Sequence, residues 1–147
     1  MTKSKVSSKD YIDNTNGAVR ALVVHPRISW RNKFSVRDSS SRLLEAVGLS
    51  KAIDLDVVDS YVLPVSSIHP KTFFGSGRLG DIGNHIEHEN IDLVVFDGPL
   101  TGGQQRNLEK IWKTKVIDRT GLILEIFGKR ALTKEGALQV ELAALKY

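Results

Sequence analysis

The sequence predicts an α/β fold with a small parallel sheet of about four strands and helices on both faces. Short apolar runs typical of buried strands recur along the chain, and segments with helical spacing of apolar side chains separate them. Strands that alternate with helices pair in parallel, because each crossover returns the chain in the same direction. A length of 147 residues with 41% hydrophobic residues is enough for one such domain.

The first part of the chain is predicted to contain one strand and one helix behind a flexible basic leader over residues 1–17. The apolar run Val19–His25 predicts a buried strand that Pro26 ends, because proline cannot donate to a strand ladder. After a polar, basic loop over 27–37, a helix is predicted over Asp38–Val47. That helix would bury three apolar side chains and end at a glycine: Leu43, Leu44, Val47 and Gly48.

Two further strands flank a glycine-rich segment. The β-branched and aromatic residues of Asp56–Val65 predict the second strand. A loop is predicted to follow and to include Gly75–Gly80, before a short helix over Asp81–Glu89. The clearest buried strand is Ile91–Phe96, and the turn Asp97–Pro99 ends it.

The next part of the chain is predicted as helix, strand and helix. Helical spacing predicts a helix over Gly103–Lys113 and another over Thr120–Arg130, with the short strand Lys115–Ile117 between them. Either Asp118 or Thr120 can cap the second helix. A strand is an alternative for this last segment, since three apolar residues alternate in it: Leu122, Leu124 and Ile126.

A last helix is predicted to begin at the N-cap residue Thr133. Its apolar stripe has the spacing of a buried face: Leu138, Leu142 and Leu145. The stripe reaches Tyr147 without a Gly, Asn or Pro to close the helix, so we expect it to pack on something outside this sequence. The predicted organisation is a leader (1–17), an α/β domain (18–131) and a helical segment (132–147).

Composition and charge restrict the class of protein. With no cysteine, disulfides and thiolate metal sites are excluded, and the basic N-terminus lacks the apolar stretch of a secretory signal. No apolar stretch is long enough for a membrane span, so the cytoplasm is the expected location. Residues 1–37 carry eight Lys/Arg and two Asp, a balance of +6, within a chain whose net charge is +4. This arm is either solvated or in contact with RNA phosphates.

Five segments in order resemble the N-terminal domain of HflX-type GTPases: Phe73–Arg78, Gln104–Glu109, Val116–Thr120, Leu122–Phe127 and Lys129–Leu142. The resemblance implies a cytoplasmic protein that associates with the large (50S) ribosomal subunit and separates stalled or idle ribosomes. It also implies that the α/β domain leads through a helical linker, beginning at 132–147, to a Ras-type GTPase domain. GTP and magnesium are implied for that GTPase domain.

The chain departs from the family in lacking the phosphate-binding run GxxxxGK[ST]. Its only glycine pairs with that spacing are Gly75–Gly80 and Gly98–Gly103, and the residues that follow are Asp81 and Gln104. No catalytic residue can therefore be assigned, and we expect this chain to supply binding rather than GTP hydrolysis. The sequence alone leaves open whether it is a fragment or the product of a divided gene.

The glycine-rich segment is the candidate phosphate site: Gly75, Ser76, Gly77 and Arg78. Together with Gly80 it spells GxGxxG, but it follows a weak strand and precedes a short helix, which argues against dinucleotide binding. Backbone N–H groups and Arg78 could instead hold a phosphate of RNA or of ATP. The alternative function is accordingly a stand-alone ATP-binding domain, and the purely structural alternative is a turn.

Seven residues are candidates for contact with ribosomal RNA: Arg27, Trp30, Arg31, Lys33, Arg106, Arg130 and Lys134. Arginine suits phosphate, and Trp30 could stack on an unpaired base or cover a hydrophobic edge. As a structural alternative, Arg106 and Arg119 would form ion pairs with carboxylates close in sequence: Glu109, Asp118 or Glu125. His85 and His88 are more typical of a solvated helix face than of a metal site, and no metal is predicted.

Overall fold

A four-stranded parallel sheet with helices on both faces confirms the predicted α/β fold. The structure is a computed structural model that describes residues 18–28 and 36–133. Its elements are β1 (Arg20–Ile28), α1 (Val36–Ala52), β2 (Asp56–Val65), α2 (Ser76–His88), β3 (Leu93–Phe96), α3 (Gly102–Trp112), β4 (Lys115–Asp118) and α4 (Arg119–Thr133). Within these ranges, every helix is too short or too polar for a membrane span.

The strand order is β2-β1-β3-β4, and all neighbours are parallel. Val24 lies opposite Phe96, which lies opposite Asp118, so the carboxyl ends of β3 and β4 reach the same edge of the sheet. β1 continues to Ile28, and the prediction that Pro26 ends it is wrong. Beyond Val24 this strand pairs with β2 alone, and proline is tolerated where one side of a strand carries no ladder.

Alternation along the strands divides the core between the two faces of the sheet. On one face the strands pack against α1 and α4 through a cluster that includes Ala21, Val23, Ala46, Leu93, Val95 and Leu122. On the other face α2 and α3 cover a larger cluster that includes Leu22, Val24, Ile82, Ile86, Phe96 and Leu108. The two central strands, β1 and β3, are therefore buried on both faces of the sheet.

Helix α1 is longer than predicted, because it continues through Gly48 to Ala52. A glycine inside a helix costs only about 1 kcal/mol of stability. Ala46 before Gly48 and Ile53 just past the helix end are 1% and 2% exposed, and burial of these side chains outweighs that cost. Leu43 and Val47 pack against the core as predicted. The predicted burial of Leu44 is wrong, since its side chain is 70% exposed.

The glycine-rich segment is helical, so the prediction of a loop over Gly75–Gly80 is wrong. Helix α2 begins at Ser76 rather than Asp81, with Gly75 as its N-cap residue. No glycine in the described part of the chain has a positive φ, so backbone freedom does not explain these glycines. Packing does not require a glycine at Gly83 either, because a Cβ there would lie 3.4 Å from the Trp112 ring, an ordinary van der Waals distance.

The predicted pattern of helix, strand and helix is confirmed for α3, β4 and α4. Asp118 caps α4 as predicted, since its Oδ1 accepts the N–H of Gly121 at 2.8 Å. Leu122 is 1% exposed while Leu124 is 63% exposed, a helical pattern that excludes the alternative strand. Thr133 is the last described residue of α4. The predicted leader (1–17) and the rest of the last predicted helix lie outside the described residues.

A capping box fixes the start of α3. The Oγ1 of Thr101 accepts the N–H of Gln104, and Gln104 Oε1 accepts the N–H of Thr101, both at 3.0 Å. We expect Thr101→Ala to lower the free energy of unfolding by about 1 kcal/mol, because one helix-end N–H loses its acceptor. Urea denaturation measures this loss. Thr101→Ser keeps the hydroxyl and should stay close to the parent; an equal loss in both variants would contradict the capping role.

Tyr61 on β2 packs against α2, with its ring stacked on that of His85 at a centroid distance of 5.8 Å. Burial, helped by the Asp59 carboxylate, raises the pKa of Tyr61 to about 12. The folded state thus holds the phenol proton more tightly than the unfolded chain, in which it is lost near pH 10. The resulting stabilisation is complete below about pH 10 and disappears as the pH rises from about 10 to about 12.

We therefore expect Tyr61 to ionise at about pH 12, about two pH units above the usual value for tyrosine. Tyrosinate absorbance during an alkaline titration measures this, and circular dichroism shows whether the fold persists. Tyr61→Phe should remove this late step. A late step that survives this substitution would assign the raised pKa to another tyrosine.

Candidate functional site

A cleft of about 510 Å³ lies at the carboxyl ends of the strands, on the face covered by α1 and α4. Its polar lining comes from four places in the chain: His25, Arg42, Asp97, Arg119 and Thr120. Apolar side chains complete the walls, including Pro26, Ile28 and Ile123. Polar groups that converge within a partly apolar depression are typical of a small-molecule binding site.

The topology of the sheet explains why the cleft forms there. From β1 the chain crosses to β2 at one edge, and it then returns to β3 on the opposite side of β1. The connections that follow β1 and β3 therefore diverge and leave a crevice between the two strands. In open α/β sheets ligands bind outside the carboxyl ends of the strands at this switch point.

His25 and Asp97 meet across the switch point, since His25 follows the last residue of β1 that pairs with β3 and Asp97 directly follows β3. Their Nδ1 and Oδ2 atoms are 2.8 Å apart, and the side chains are 12% and 2% exposed. An ionised carboxylate only accepts hydrogen bonds, so Asp97 fixes the imidazole proton on Nδ1. In the neutral ring, Nε2 is then left as an acceptor.

Arg119, the first residue of α4, joins two carboxylates from different elements. Its Nη1 donates to Asp97 Oδ1 at 3.2 Å, and its Nη2 donates to Oε1 of Glu45 on α1. Both oxygens of the buried Asp97 are thus satisfied, one by His25 and the other by Arg119. The Arg119 side chain is 34% exposed and lines the cleft, so it can also reach a ligand.

The beginning of α4 adds further donors to this side of the cleft. The N–H of Gly121 is already taken by the Asp118 carboxylate, while the Thr120 side chain is exposed in the cleft wall. Helix N-termini favour negative charge, and the guanidinium groups of Arg42 and Arg119, each with partners of its own, line this part of the cleft. The site is suited to binding a polar or anionic group; the cleft lining includes no residue with the surroundings of an activated nucleophile.

The predicted phosphate site at the start of α2 is separate from this cleft, because α2 covers the opposite face of the sheet. Gly75 contacts His69 there, since a Cβ on that glycine would lie 3.3 Å from the imidazole Cε1. Arg78 Nη2 donates to the carbonyl of Pro64 at 3.0 Å. Phosphate binding by Gly75, Ser76, Gly77 and Arg78 stays a prediction.

The predicted RNA-contact residues do not form one cluster in the described part of the chain. Arg27 lies near the end of β1, and its Nε is buried without an acceptor among the described residues. Arg106 is exposed on the first turns of α3, and Arg130 is exposed near the end of α4. Trp30, Arg31, Lys33 and Lys134 lie outside the described residues.

Sequence reasoning missed the roles of His25, Asp97 and Arg119. The expected ion pairs of Arg119 were with carboxylates near in sequence, but its hydrogen-bonded partners are Asp97 and Glu45, which are 22 and 74 residues away. One signal could have revealed part of the site. His25 and Asp97 each stand at or just after the end of a predicted buried strand, and parallel strands bring such ends to one edge.

The chain is similar to known GTP-binding proteins. A family profile described as GTP-binding GTPase N-terminal matches residues 40–128. The GTPase HflX of Magnetococcus marinus is 50% identical over 112 residues, which cover 76% of this chain and 26% of that protein. The GTPase HflX of Escherichia coli is 49% identical over 79 residues, covering 54% of this chain and 18% of that protein. The chain thus spans less than a third of the length of these relatives.

Solved structures share the fold. The crystal structure of the SsGBP and GDP complex superposes with a TM-score of 0.58 at 27% identity, covering 87% of this chain and 34% of that one. A GTP-binding protein of Sulfolobus solfataricus in complex with GDP gives a TM-score of 0.55 at 27% identity. The superposition covers 87% of this chain and 36% of that protein. With the profile match over more than half of its residues, the chain belongs to the HflX family of GTPases and corresponds to their N-terminal domain.

Proposed function

We propose that this chain is a docking module of an HflX-like GTP-binding protein: it associates with the large ribosomal subunit in the cytoplasm and acts in ribosome splitting or rescue. The profile match to the GTPase N-terminal region over residues 40–128 carries this proposal. The curated relatives are GTPases, and the chain matches 26% and 18% of their lengths. In this proposal a GTPase domain follows the helical segment 132–147 as its linker, and hydrolysis takes place there.

The residues present do not fit a GTP and magnesium site. A nucleotide triphosphate needs a loop of backbone N–H groups followed by a lysine and a hydroxyl side chain. Gly75 and Gly80 bracket the start of α2 and are followed by Asp81; Gly98 and Gly103 bracket the start of α3 and are followed by Gln104. We therefore place GTP and magnesium with the GTPase domain of the parent protein.

Ribosome binding is tested by co-sedimentation of the 147-residue chain with purified 50S subunits. We expect pelleting at low salt that declines as salt is added, because contacts between basic side chains and RNA phosphates release counterions. No pelleting at low salt would contradict the docking role.

Arg106 on α3 allows a matched test of the proposed RNA contacts. Arg106→Gln should weaken pelleting and reduce the steepness of the salt dependence by about one unit of logarithmic slope. Lys110→Gln removes a positive charge from the same helix at an exposed position not assigned to the RNA. Equal losses in both variants would show that net charge, and not contact through Arg106, governs binding.

Calorimetric titration of the chain with ATP, GTP and NAD separates docking from the alternative of a stand-alone nucleotide-binding domain. If the chain acts only in docking, we expect no binding heat with ATP, GTP or NAD at micromolar concentrations. Heat with ATP that Arg78→Gln abolishes would favour the alternative and assign the nucleotide to the start of α2. Magnesium-dependent turnover of GTP by the chain alone would contradict the assignment of hydrolysis to another domain.

A further inference from the structure

Arg119 divides its guanidinium between two carboxylates in different surroundings. The side chain of Asp97 is 2% exposed, whereas that of Glu45 is 57% exposed. A charge-assisted hydrogen bond to a buried carboxylate is strong, while an exposed ion pair contributes little because water and salt compete for both groups. The Nη1 side of Arg119 is therefore firmly held, and its Nη2 side is held weakly.

The weakly held side of Arg119 lies beside other features that favour an anion. Arg42 lines the same cleft from α1, and Thr120 lines it from the first turn of α4, where the helix dipole is positive. The only carboxylate of the cleft lining is Asp97, whose two oxygens already accept from Arg119 and His25. An anion that enters the cleft thus meets the guanidinium of Arg119, the guanidinium of Arg42, which has an interaction of its own, and one exposed carboxylate, Glu45, which it has to displace.

We propose that this cleft binds the phosphate of a phosphate monoester through Arg119 and Arg42, and that the phosphate displaces Glu45 from Arg119. A phosphate dianion offers more charge than a carboxylate and matches the planar fork of arginine. The apolar residues Pro26 and Ile123 line the walls and can contact the organic part of the ligand. Asp97 keeps Arg119 in place during the exchange because its own hydrogen bonds are not disturbed.

Displacement of Glu45 has a structural consequence. The ion pair between Glu45 and Arg119 joins the middle of α1 to the start of α4 at the cleft. Just beyond the C-terminal end of α1, Asp54 Oδ2 forms a second pair with Nζ of Lys129 on α4 at 2.6 Å. Binding of phosphate should loosen the first connection and leave the second one intact.

Inorganic phosphate is the first probe, and amide chemical shifts of the isotope-labelled chain are the readout. We expect saturable shifts at Gly98 and Thr120, with no such shifts on adding sodium chloride at equal ionic strength. Glu45→Gln should strengthen phosphate binding about two- to fivefold, because the competing carboxylate is removed. Asp54→Asn, which removes the carboxylate of the second helix pair, is the control and should leave the affinity unchanged.

Two further variants test the proposed ligands. Arg119→Lys should weaken phosphate binding about tenfold, since lysine keeps the charge beside Asp97 but lacks the planar fork. Arg42→Gln should weaken it as well and provides the test if Arg119→Lys does not fold. Binding that is unchanged in Arg42→Gln, weaker binding in Glu45→Gln, or a linear response without saturation would each overturn the proposal.

The source of the phosphate is decided by comparing ligands. Ribose 5-phosphate represents a free metabolite, and a short single-stranded RNA with a 5′-phosphate represents an RNA terminus, with the same RNA bearing a 5′-hydroxyl as its control. Tighter binding of the phosphorylated RNA than of both other ligands would identify an RNA end as the natural ligand. Equal affinities for ribose 5-phosphate and the phosphorylated RNA would identify a small molecule instead. These measurements contain no ribosomes, so their failure is distinct from a failure of ribosome docking.

Discussion

Replacing Phe96 by alanine is expected to lower the free energy of unfolding by about 3–5 kcal/mol. The side chain is 0% exposed and lies at the end of β3. Its ring packs edge-on against Phe73 and Phe74, with centroid distances of 4.8 and 5.8 Å. Truncation removes the apolar area of one ring and also leaves a cavity that two rigid aromatic neighbours cannot fill. Urea denaturation with a constant m value would measure the loss.

Phe127 supplies the matched control for this prediction. It is the same residue type in the same domain, but its side chain is 61% exposed on α4. Phe127→Ala should change the free energy of unfolding by no more than about 0.5 kcal/mol, as is usual for surface positions. Comparable losses in the two variants would mean that Phe127 is buried in solution and that this face of α4 is covered.

The second large effect is expected for Arg119→Met, which should destabilise the fold by about 2–4 kcal/mol. Methionine conserves much of the volume but leaves one oxygen of the buried Asp97 without a donor. His25 still donates to the other oxygen, so the penalty is that of an incompletely satisfied carboxylate rather than of an isolated charge. Thermal unfolding followed by circular dichroism measures the change.

Two substitutions show whether Asp97 is the cause of that loss. Glu45→Gln weakens only the exposed partner of Arg119 and should cost less than about 1 kcal/mol. Asp97→Asn combined with Arg119→Met removes the buried charge together with its donor and should recover part of the stability. If the double variant is as unstable as the sum of the two single variants, the pair is not coupled and the argument from the buried carboxylate is wrong.

Much of the fold could be predicted because its signals are local. The bounds of β2 were correct at Asp56–Val65, and α3 and β4 were correct to within one residue at each end. The errors fall where tertiary packing overrides local preference. Gly48 lies inside α1 and three glycines lie inside α2, since burial of Ile53, Ile82 and Ile86 in the core outweighs the cost of helical glycine.

The candidate site was harder to predict because its contacts are distant in sequence. His25 and Asp97 are 72 residues apart, and Arg119 and Glu45 are 74 apart. No spacing rule links such pairs; only the strand order brings them together. The glycine-rich segment predicts a phosphate site because its spacing forms a recognisable local pattern, and phosphate binding there stays a prediction.

The position of β2 at the edge of the sheet has a consequence for solubility. Among the described residues β2 has no neighbouring strand on its outer side, and a ten-residue strand at the edge of a sheet is a template for aggregation. Its sequence carries Asp56, Asp59 and Pro64 at exposed positions. Two like charges and a missing N–H donor disfavour the pairing of this strand with the same strand of another molecule. The edge is thereby protected from self-association at high protein concentration.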